Sequence, residues 1–164
     1  MTRVLGIDPG LAATGWGVVD ADGSRNRYVA HGVITTAAGL PIGDRLLMIH
    51  DELEAIITTH NPSEAGVEAL YFARNATSAM PVAHARGVVY LTLRQHRILT
   101  SEYPPQAIKQ SIVGQGRAEK EQVQELVRVL LGLAEIPRPD HASDALAAAI
   151  CHIAHRPLRE RARV

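Results

Sequence analysis

Several residue types are rare in this chain, and each scarcity excludes a class of protein. The single cysteine, Cys151, excludes a framework of intramolecular disulfides, so a reducing cytoplasm is the expected environment. Only six of the 164 residues are aromatic, so aliphatic side chains must dominate the core. No apolar run is long enough to span a membrane, and the opening segment MTRVLGIDPG lacks the apolar stretch of a signal peptide. The composition therefore predicts a cytoplasmic protein that does not associate with membranes.

The chain also lacks a net charge, with 17 basic and 17 acidic side chains. This balance weighs against a general nucleic-acid-binding protein, because such proteins usually carry a basic excess. The exclusion is incomplete, because carboxylates committed to a metal site would leave the basic residues free to form a positive face. Lysine is scarce too, since only Lys109 and Lys120 are present, both in the segment AIKQSIVGQGRAEKEQV. Either these two lysines bind a specific target with their compact charges, or they simply lie on solvated helix faces.

The order of the hydrophobic patterns predicts an α/β fold. Three β-rich runs come first, RVLGIDPG, TGWGVVDA and RNRYVAHGVITT, and they predict a three-stranded antiparallel meander. Two further strands are predicted at EAGVEAL and RILTSEY. Helical spacing predicts helices from Leu46 to the Asn61-Pro62 stop, over 78–95, 107–113 and 119–131, and after Pro139-Asp140. This order predicts a mixed five-stranded sheet flanked by helices, with residues 1–156 as one domain and 157–164 as a basic, flexible tail.

Two of the predicted strands end in an acidic residue. Asp8 closes the first strand, on the same face as Gly6, whose missing side chain leaves room beside the carboxylate. Glu68 closes the fourth strand in the same way, two residues after Gly66. If these strands are neighbours, the two carboxylates lie side by side at the sheet edge, where a shared divalent cation relieves their repulsion. Taken singly, each acid is more often an ordinary turn former or strand-end charge, so only the convergence of several acids indicates a metal site.

The predicted last helix supplies further metal ligands. His141 and Asp144 stand one helical turn apart in PDHASDALAAAICH, beside the apolar stripe, so both can face the sheet edge. Three carboxylates and one imidazole suit Mg²⁺ or Mn²⁺ better than zinc. A pair of such ions activates water and stabilises the leaving oxygen in phosphodiester hydrolysis. Alternatively, Asp140 or Asp144 could simply cap the helix.

Six segments of the chain form a recognisable series. They are GIDPG, TGWGVV, VEALYFARNATSA, ARGVVYL, KQSIVGQGRAEKEQV and DHASDALAAAICH, between about residues 3 and 155. In this order and spacing they resemble the RuvC family of bacterial Holliday junction resolvases. The resemblance implies a ribonuclease-H-like fold, a homodimer, and metal-dependent, symmetric cutting of four-way DNA junctions that leaves 5′-phosphates. It also implies a partnership with the RuvA and RuvB branch-migration complex.

The resemblance assigns the metal site. Asp8, Glu68 and Asp144 correspond to the acidic metal ligands of the family, and the implied site holds two Mg²⁺ ions bridged by Asp8, with Mn²⁺ as a substitute. Many relatives have an aspartate three residues before the last acid, where this chain has His141, with Asp140 one position earlier. His141 is the favoured fourth member, because an imidazole can ligate a metal or carry a proton. Asp140 points about 100° further round the helix.

The resemblance also implies contacts with DNA phosphates. Lys109 and Lys120 correspond to lysines that approach a phosphate near the cut, where a compact ammonium suits a single oxygen. Arg74 is a further candidate phosphate contact, as are Arg86 and Arg117.

Two aromatic residues and one helix complete the implied interfaces. Tyr71 and Phe72 follow Glu68 closely, and Tyr71 has the offset of an aromatic residue that stacks on junction bases in the family. The predicted helix over 78–95 has small residues every four positions, which permits close helix packing. We therefore expect this helix to form the dimer interface.

Two other functions are compatible with parts of the sequence. An actin-like or sugar-kinase-like phosphotransferase also begins with an acid-x-glycine strand end, but it requires a second phosphate hairpin and a second domain. A catalytically silent junction-binding module requires basic and aromatic surface but no converging acids. Neither the second hairpin nor the second domain is visible in the sequence, and a failure to bind or hydrolyse ATP would exclude the phosphotransferase. Asp8→Asn separates the binding module from a nuclease, because only a nuclease would lose cutting while still binding.

Overall fold

The structure is a computed structural model that describes residues 1–69 and 76–162. Five strands and five helices lie within these ranges. In chain order they are β1 (Thr2–Asp8), β2 (Ala13–Asp22), β3 (Arg25–Thr35), α1 (Ile42–His60), β4 (Glu64–Glu68), α2 (Ala76–Gln95), β5 (Leu99–Tyr103), α3 (Pro105–Val113), α4 (Lys120–Leu130) and α5 (Asp140–Ala162). None of the helices in the described ranges is both long enough and apolar enough to cross a membrane.

The strands form one mixed sheet in the order β3-β2-β1-β4-β5. β1 pairs antiparallel with β2, and β2 pairs antiparallel with β3, so the predicted meander is confirmed. β4 is parallel to both β1 and β5. Consequently β1, β3, β4 and β5 all end at the same edge of the sheet, which we call the carboxyl edge. The predicted neighbourhood of the two strands that end in Asp8 and Glu68 is therefore confirmed.

Helices cover both faces of this sheet. Adjacent residues of β1 serve opposite faces, since Val4 belongs to one apolar cluster and Leu5 to the other. The Leu5 cluster joins the sheet to α1 and α2, and the Val4 cluster joins it to α3, α4 and α5. Each face is thus closed by aliphatic packing, as the scarcity of aromatic residues predicts.

A row of three glycines lets α5 lie directly on the sheet. Gly17, Gly6 and Gly66 are paired across β2, β1 and β4. A Cβ on Gly6 would overlap the carbonyl oxygen of Ala145, and a Cβ on Gly66 would crowd the carbonyl oxygen of Ala148. The space left by Gly6, expected to lie beside the Asp8 carboxylate, is instead occupied by the α5 backbone.

Helix ends agree with the sequence signals more closely than helix starts do. α1 ends at His60, and Asn61 follows in the left-handed conformation, with φ 47°, as the predicted stop requires. α2 and α3 begin two residues earlier than predicted, at Ala76 and Pro105. α5 continues to Ala162, so its helical backbone extends into residues 157–164. The division into a domain and a tail stays a prediction.

Candidate active site

Asp8 and Glu68 lie together at the carboxyl edge. They follow the paired residues Ile7 and Val67 as the last residues of two parallel neighbouring strands. Burial, and after it the repulsion of the neighbouring Asp8 carboxylate, raises the pKa of Glu68 to about 8. Ionisation of both carboxylates is therefore unfavourable unless a cation lies beside them.

The N-terminal end of α5 brings His141 and Asp144 to the same place. Gly15, the partner of Asp8 in β2, has no Cβ, and one there would overlap the carbonyl oxygen of His141. His141 Nδ1 lies 2.8 Å from Asp8 Oδ2. One ligand atom each from Asp8, His141 and Asp144 lie within 4.8 Å of one another. Burial raises the pKa of Asp144, Lys120 opposes this rise, and Asp8 adds to it.

Asp140 has different contacts from His141. Its Oδ1 accepts hydrogen bonds from Arg138 at 2.7 Å and from Gln124 at 3.1 Å, and its Oδ2 lies 3.3 Å from Lys120 Nζ. The hydrogen bond from Lys120 lowers the pKa of Asp140, and the one from Gln124 lowers it further. Asp140 therefore holds Lys120, whereas His141 contacts Asp8. This arrangement favours His141 as the fourth member of the site.

The two lysines meet at this site although they belong to different helices. Lys109 of α3 and Lys120 of α4 line one cavity of about 160 Å³ together with Glu68 and Asp144. Lys120 Nζ lies 3.4 Å from Asp144 Oδ2. Lys109 makes no hydrogen bond or ion pair with the residues that the structure describes, so its ammonium can bind an external anion. The convergence supports a common target for both charges.

Arg86 supports the backbone at Glu68. Its side chain is only 12% exposed, and its Nη1 donates a 2.6 Å hydrogen bond to the Glu68 carbonyl oxygen. Its Nη2 forms an ion pair with Glu102 and donates to the Tyr90 hydroxyl. The sequence predicts a phosphate contact for this arginine but does not predict its position behind Glu68. The residues around Arg86 in the sequence do not indicate that its side chain bonds to a backbone carbonyl 18 residues away.

The other predicted DNA contacts lie outside the described residues or away from these contacts. Tyr71, Phe72 and Arg74 fall within residues 70–75, which the structure does not describe. Arg117 precedes α4 and takes part in none of the contacts described above. The roles of these residues stay predictions.

The donor set fits a divalent cation. Three carboxylates and one imidazole converge, and both burial and the charges of Asp8 and Asp144 raise the pKa of Glu68, which a cation bound among the acids would offset. Hard oxygen donors with few imidazoles are the ligands of Mg²⁺ and Mn²⁺ rather than of zinc. Asp8, His141 and Asp144 could hold such an ion, with Glu68 alongside.

The crowded acids predict an unusual pH dependence of stability in EDTA. The ordinary pKa of a glutamate is 4.5, and folding raises that of Glu68 to about 8, so the folded state retains a proton that the unfolded chain releases. The free energy of unfolding should therefore fall as pH rises from about 4.5 to about 8. Urea denaturation at several pH values measures this slope.

Matched variants separate Glu68 from other titrating groups. Glu68→Gln should flatten the slope, whereas Glu52→Gln, which removes an exposed carboxylate of α1, should leave the wild-type slope. Adding Mg²⁺ at pH 8 should restore stability to the wild type, because the cation replaces the proton. Equal slopes for the wild type and Glu68→Gln would show that this carboxyl group is not the source.

Comparison with known proteins assigns the family. The family model described as crossover junction endodeoxyribonuclease RuvC matches residues 4–152. The chain belongs to the RuvC family. A RuvC family member from Treponema denticola is 53% identical over 150 residues, covering 92% of this chain and 84% of that protein. Another, from Chloroflexus aggregans, is 51% identical over 159 residues and covers 97% of both chains. Both are named crossover junction endodeoxyribonuclease RuvC.

Solved structures confirm the ribonuclease-H-like fold predicted from the RuvC resemblance. The structure of Thermus thermophilus RuvC in complex with Holliday junction substrate has a TM-score of 0.93 at 34% identity and covers 97% of both chains. The yeast mitochondrial Holliday junction resolvase shares the fold, with a TM-score of 0.69 at 14% identity. The RuvC family match covers nearly the whole chain and weighs against the phosphotransferase alternative.

Proposed function

We propose that this chain is a metal-dependent endonuclease that resolves four-way DNA junctions by paired symmetric nicks, in recombination and DNA repair. The observation that carries the proposal is the convergence of Asp8, Glu68, His141 and Asp144 at the carboxyl edge. The names of its RuvC relatives and the similarity to a junction-bound RuvC support the choice of substrate. The catalytically silent module remains the alternative that experiment must exclude.

The acid cluster would hold the metal. Asp8, Glu68 and Asp144, with His141, would bind two Mg²⁺ ions, and Mn²⁺ would substitute for them. When bound, these ions supply Lewis acidity that activates water and stabilises charge on the leaving oxygen. In the tautomer in which His141 Nδ1 donates to Asp8, Nε2 is an acceptor that could ligate a metal or take a proton from water.

The lysines would hold the phosphate that is cut. Lys120 is fixed between Asp140 and Asp144, which keeps a positive charge beside the acid cluster. Lys109 lines the same cavity and would bind a phosphate oxygen as the strand enters the site. Displacement of the 3′ oxygen by water would leave a 5′-phosphate and a nick that can be ligated.

The bases and phosphates around the cut would be held by the segment after Glu68. We propose that one of Tyr71 and Phe72, with Tyr71 at the offset of the family's aromatic residue, contacts the bases of an opened junction, and that Arg74 contacts a phosphate. A base stacked on an aromatic side chain gains about 1 to 3 kcal/mol. Such contacts would help to hold the distorted junction.

A homodimer would supply the second cut. α2 presents an exposed stripe in which the large apolar residues Met80 and Leu91 flank the small residues Ala83 and Gly87. A Cβ on Gly87 would meet no atom within 4 Å, so its outer side is open to a partner helix. Two-fold symmetry about α2 would present two acid clusters to opposite strands. RuvA and RuvB, in the cytoplasm, are the further partners that we propose.

One cleavage assay tests this function. A labelled synthetic four-way junction and a linear duplex of the same sequence are each incubated with the chain, in Mg²⁺ and in EDTA. Paired symmetric nicks in the junction alone, lost in EDTA, are the expected result. Tight junction binding without cutting in either Mg²⁺ or Mn²⁺ would instead establish the silent binding module.

A further inference from the structure

We propose that Arg45 and the turn over residues 10–13 form a second phosphate-binding subsite at the carboxyl edge. It would hold the backbone of the cut DNA strand on the side of Asp8 opposite to Lys109 and Lys120. The inference rests on the proposed function, because its ligand is the phosphodiester chain of the substrate. Nothing in the sequence motifs marks Arg45 as a DNA contact.

The sheet order places this arginine across the acids from the lysines. Along the carboxyl edge the strands run β3-β2-β1-β4-β5, with Asp8 on β1 and Glu68 on β4. Lys109 lies on α3, which starts just after β5 ends. Arg45 lies in the first turn of α1, which follows β3 at the other end of the row. The acid pair therefore lies between two positively charged regions.

Hydrogen bonds tie Arg45 to the turn that follows Asp8. Its Nε donates to Thr36 Oγ1 at 2.8 Å, and the Thr36 hydroxyl donates in turn to the carbonyl oxygen of Leu11. The Thr36 backbone N–H donates to the Ala12 carbonyl oxygen at 3.1 Å. Arg45 is thus held in one orientation relative to the metal site, which lowers the entropy lost on binding.

The outer nitrogens of Arg45 are available to an external anion. Several other arginines are paired with carboxylates, such as Arg3 with Asp20 and Arg128 with Glu125. Within the described ranges, the bond to Thr36 is the only one that the Arg45 side chain makes, and no carboxylate lies at ion-pair distance from it. Its Nη1 and Nη2 can therefore donate together to one phosphate, the bidentate geometry that a guanidinium favours.

A groove connects Arg45 to the metal site. Arg45 and His141 line it together with the 10–13 turn, Pro81 and Val82. No acidic residue among those described lines this groove, and its other walls are apolar or backbone. Since His141 contacts Asp8 at 2.8 Å, the groove opens directly onto the acid cluster. An apolar groove with one cation suits a deoxyribose and its phosphate, and the strand would pass through it on one side of the cut.

Salt dependence of junction binding in EDTA tests the charge of Arg45. Each phosphate neutralised contributes about 0.9 to the slope of log affinity against log salt for duplex DNA, or about 0.7 for a single strand. Arg45→Gln should reduce the wild-type slope by about that amount and weaken binding roughly 5- to 10-fold near 0.1 M salt. Arg25→Gln is the matched control, because Arg25 is an exposed arginine at the start of β3, which begins at the opposite edge. It should leave both quantities unchanged.

Thr36→Val separates phosphate binding from support of the turn. It breaks the hydrogen bonds to Arg45 and Leu11 but keeps the arginine charge. If Arg45 binds phosphate, Arg45→Gln alone lowers the salt slope, and Thr36→Val keeps the wild-type slope. If Arg45 only supports the turn, the two variants lose affinity equally without a change in slope, and the proposal is wrong.

Single neutral methylphosphonates in the junction locate the contact. One such substitution on one side of the cut should weaken wild-type binding several-fold and have no further effect on Arg45→Gln. A methylphosphonate on the other side of the cut should also weaken wild-type binding, and it should have no further effect on Lys109→Gln. If every methylphosphonate weakens junction binding by Arg45→Gln as much as it weakens binding by the wild type, the proposed subsite is wrong. If the wild type cuts the junction, that result leaves the proposed function intact, whereas a wild type that does not bind junctions overturns both proposals.

Discussion

Replacing Asp8 by asparagine is expected to reduce junction cutting by more than about 100-fold while leaving junction binding within a few-fold of the wild type. Loss of a group that only orients a metal ligand already costs about 10- to 100-fold, so loss of a ligand should cost more. Asp8 contacts His141 and crowds Glu68, so its charge is central to the cluster. Asparagine keeps the size of the side chain but removes the charge and replaces one acceptor oxygen with a donor. Single-turnover cutting rates and binding isotherms in EDTA measure the two effects.

Two further measurements make this result specific to metal binding. Asp22→Asn, at an exposed position where β2 ends at the opposite edge, should cut at the wild-type rate. In EDTA, Asp8→Asn should be at least as stable as the wild type, because it removes repulsion with Glu68. A variant that loses binding and cutting together would place Asp8 in DNA binding or folding rather than in metal binding.

The fold could be predicted because each local pattern agrees with the tertiary packing. β1 shows this most clearly, since Val4 and Leu5 serve opposite faces as strand alternation requires. The end of α1 could also be predicted, because the Asn61-Pro62 stop acts through the local backbone conformation. The starts of α2 and α3 were misplaced by two residues, and both begin near segments where proline or small residues weaken the helical pattern.

The site could be predicted only in part, because some of its contacts depend on tertiary packing. Asp8 and Glu68 end strands, so their meeting follows once the strands are neighbours. The meeting of Lys109 and Lys120 depends on how α3 and α4 pack, which a spacing of 11 residues in sequence does not specify. Arg86 binds a backbone carbonyl, and a backbone carbonyl has no signature in sequence.

Replacing Gly6 by alanine is expected to cost about 1 to 3 kcal/mol of stability or more, as overpacking of a close contact does. The new Cβ would overlap the carbonyl oxygen of Ala145 and crowd the backbone nitrogen of Ala149, and neither backbone atom can rotate away. Urea denaturation measures the loss. Gly43→Ala is the matched control, because a Cβ there meets no atom within 4 Å and alanine favours helix α1.

The same substitution should also impair cutting at temperatures where the variant is folded. Gly6 and Asp8 lie two residues apart on β1, so one strand sets both the approach of α5 and the position of a metal ligand. To accommodate the Cβ, α5 must move away from the sheet, and its N-terminal end then carries His141 and Asp144 away from Asp8. The Mg²⁺ concentration for half-maximal cutting should therefore rise in Gly6→Ala and stay at the wild-type value in Gly43→Ala. If Gly6→Ala loses stability but keeps the wild-type Mg²⁺ dependence, the metal site does not depend on how closely α5 approaches β1.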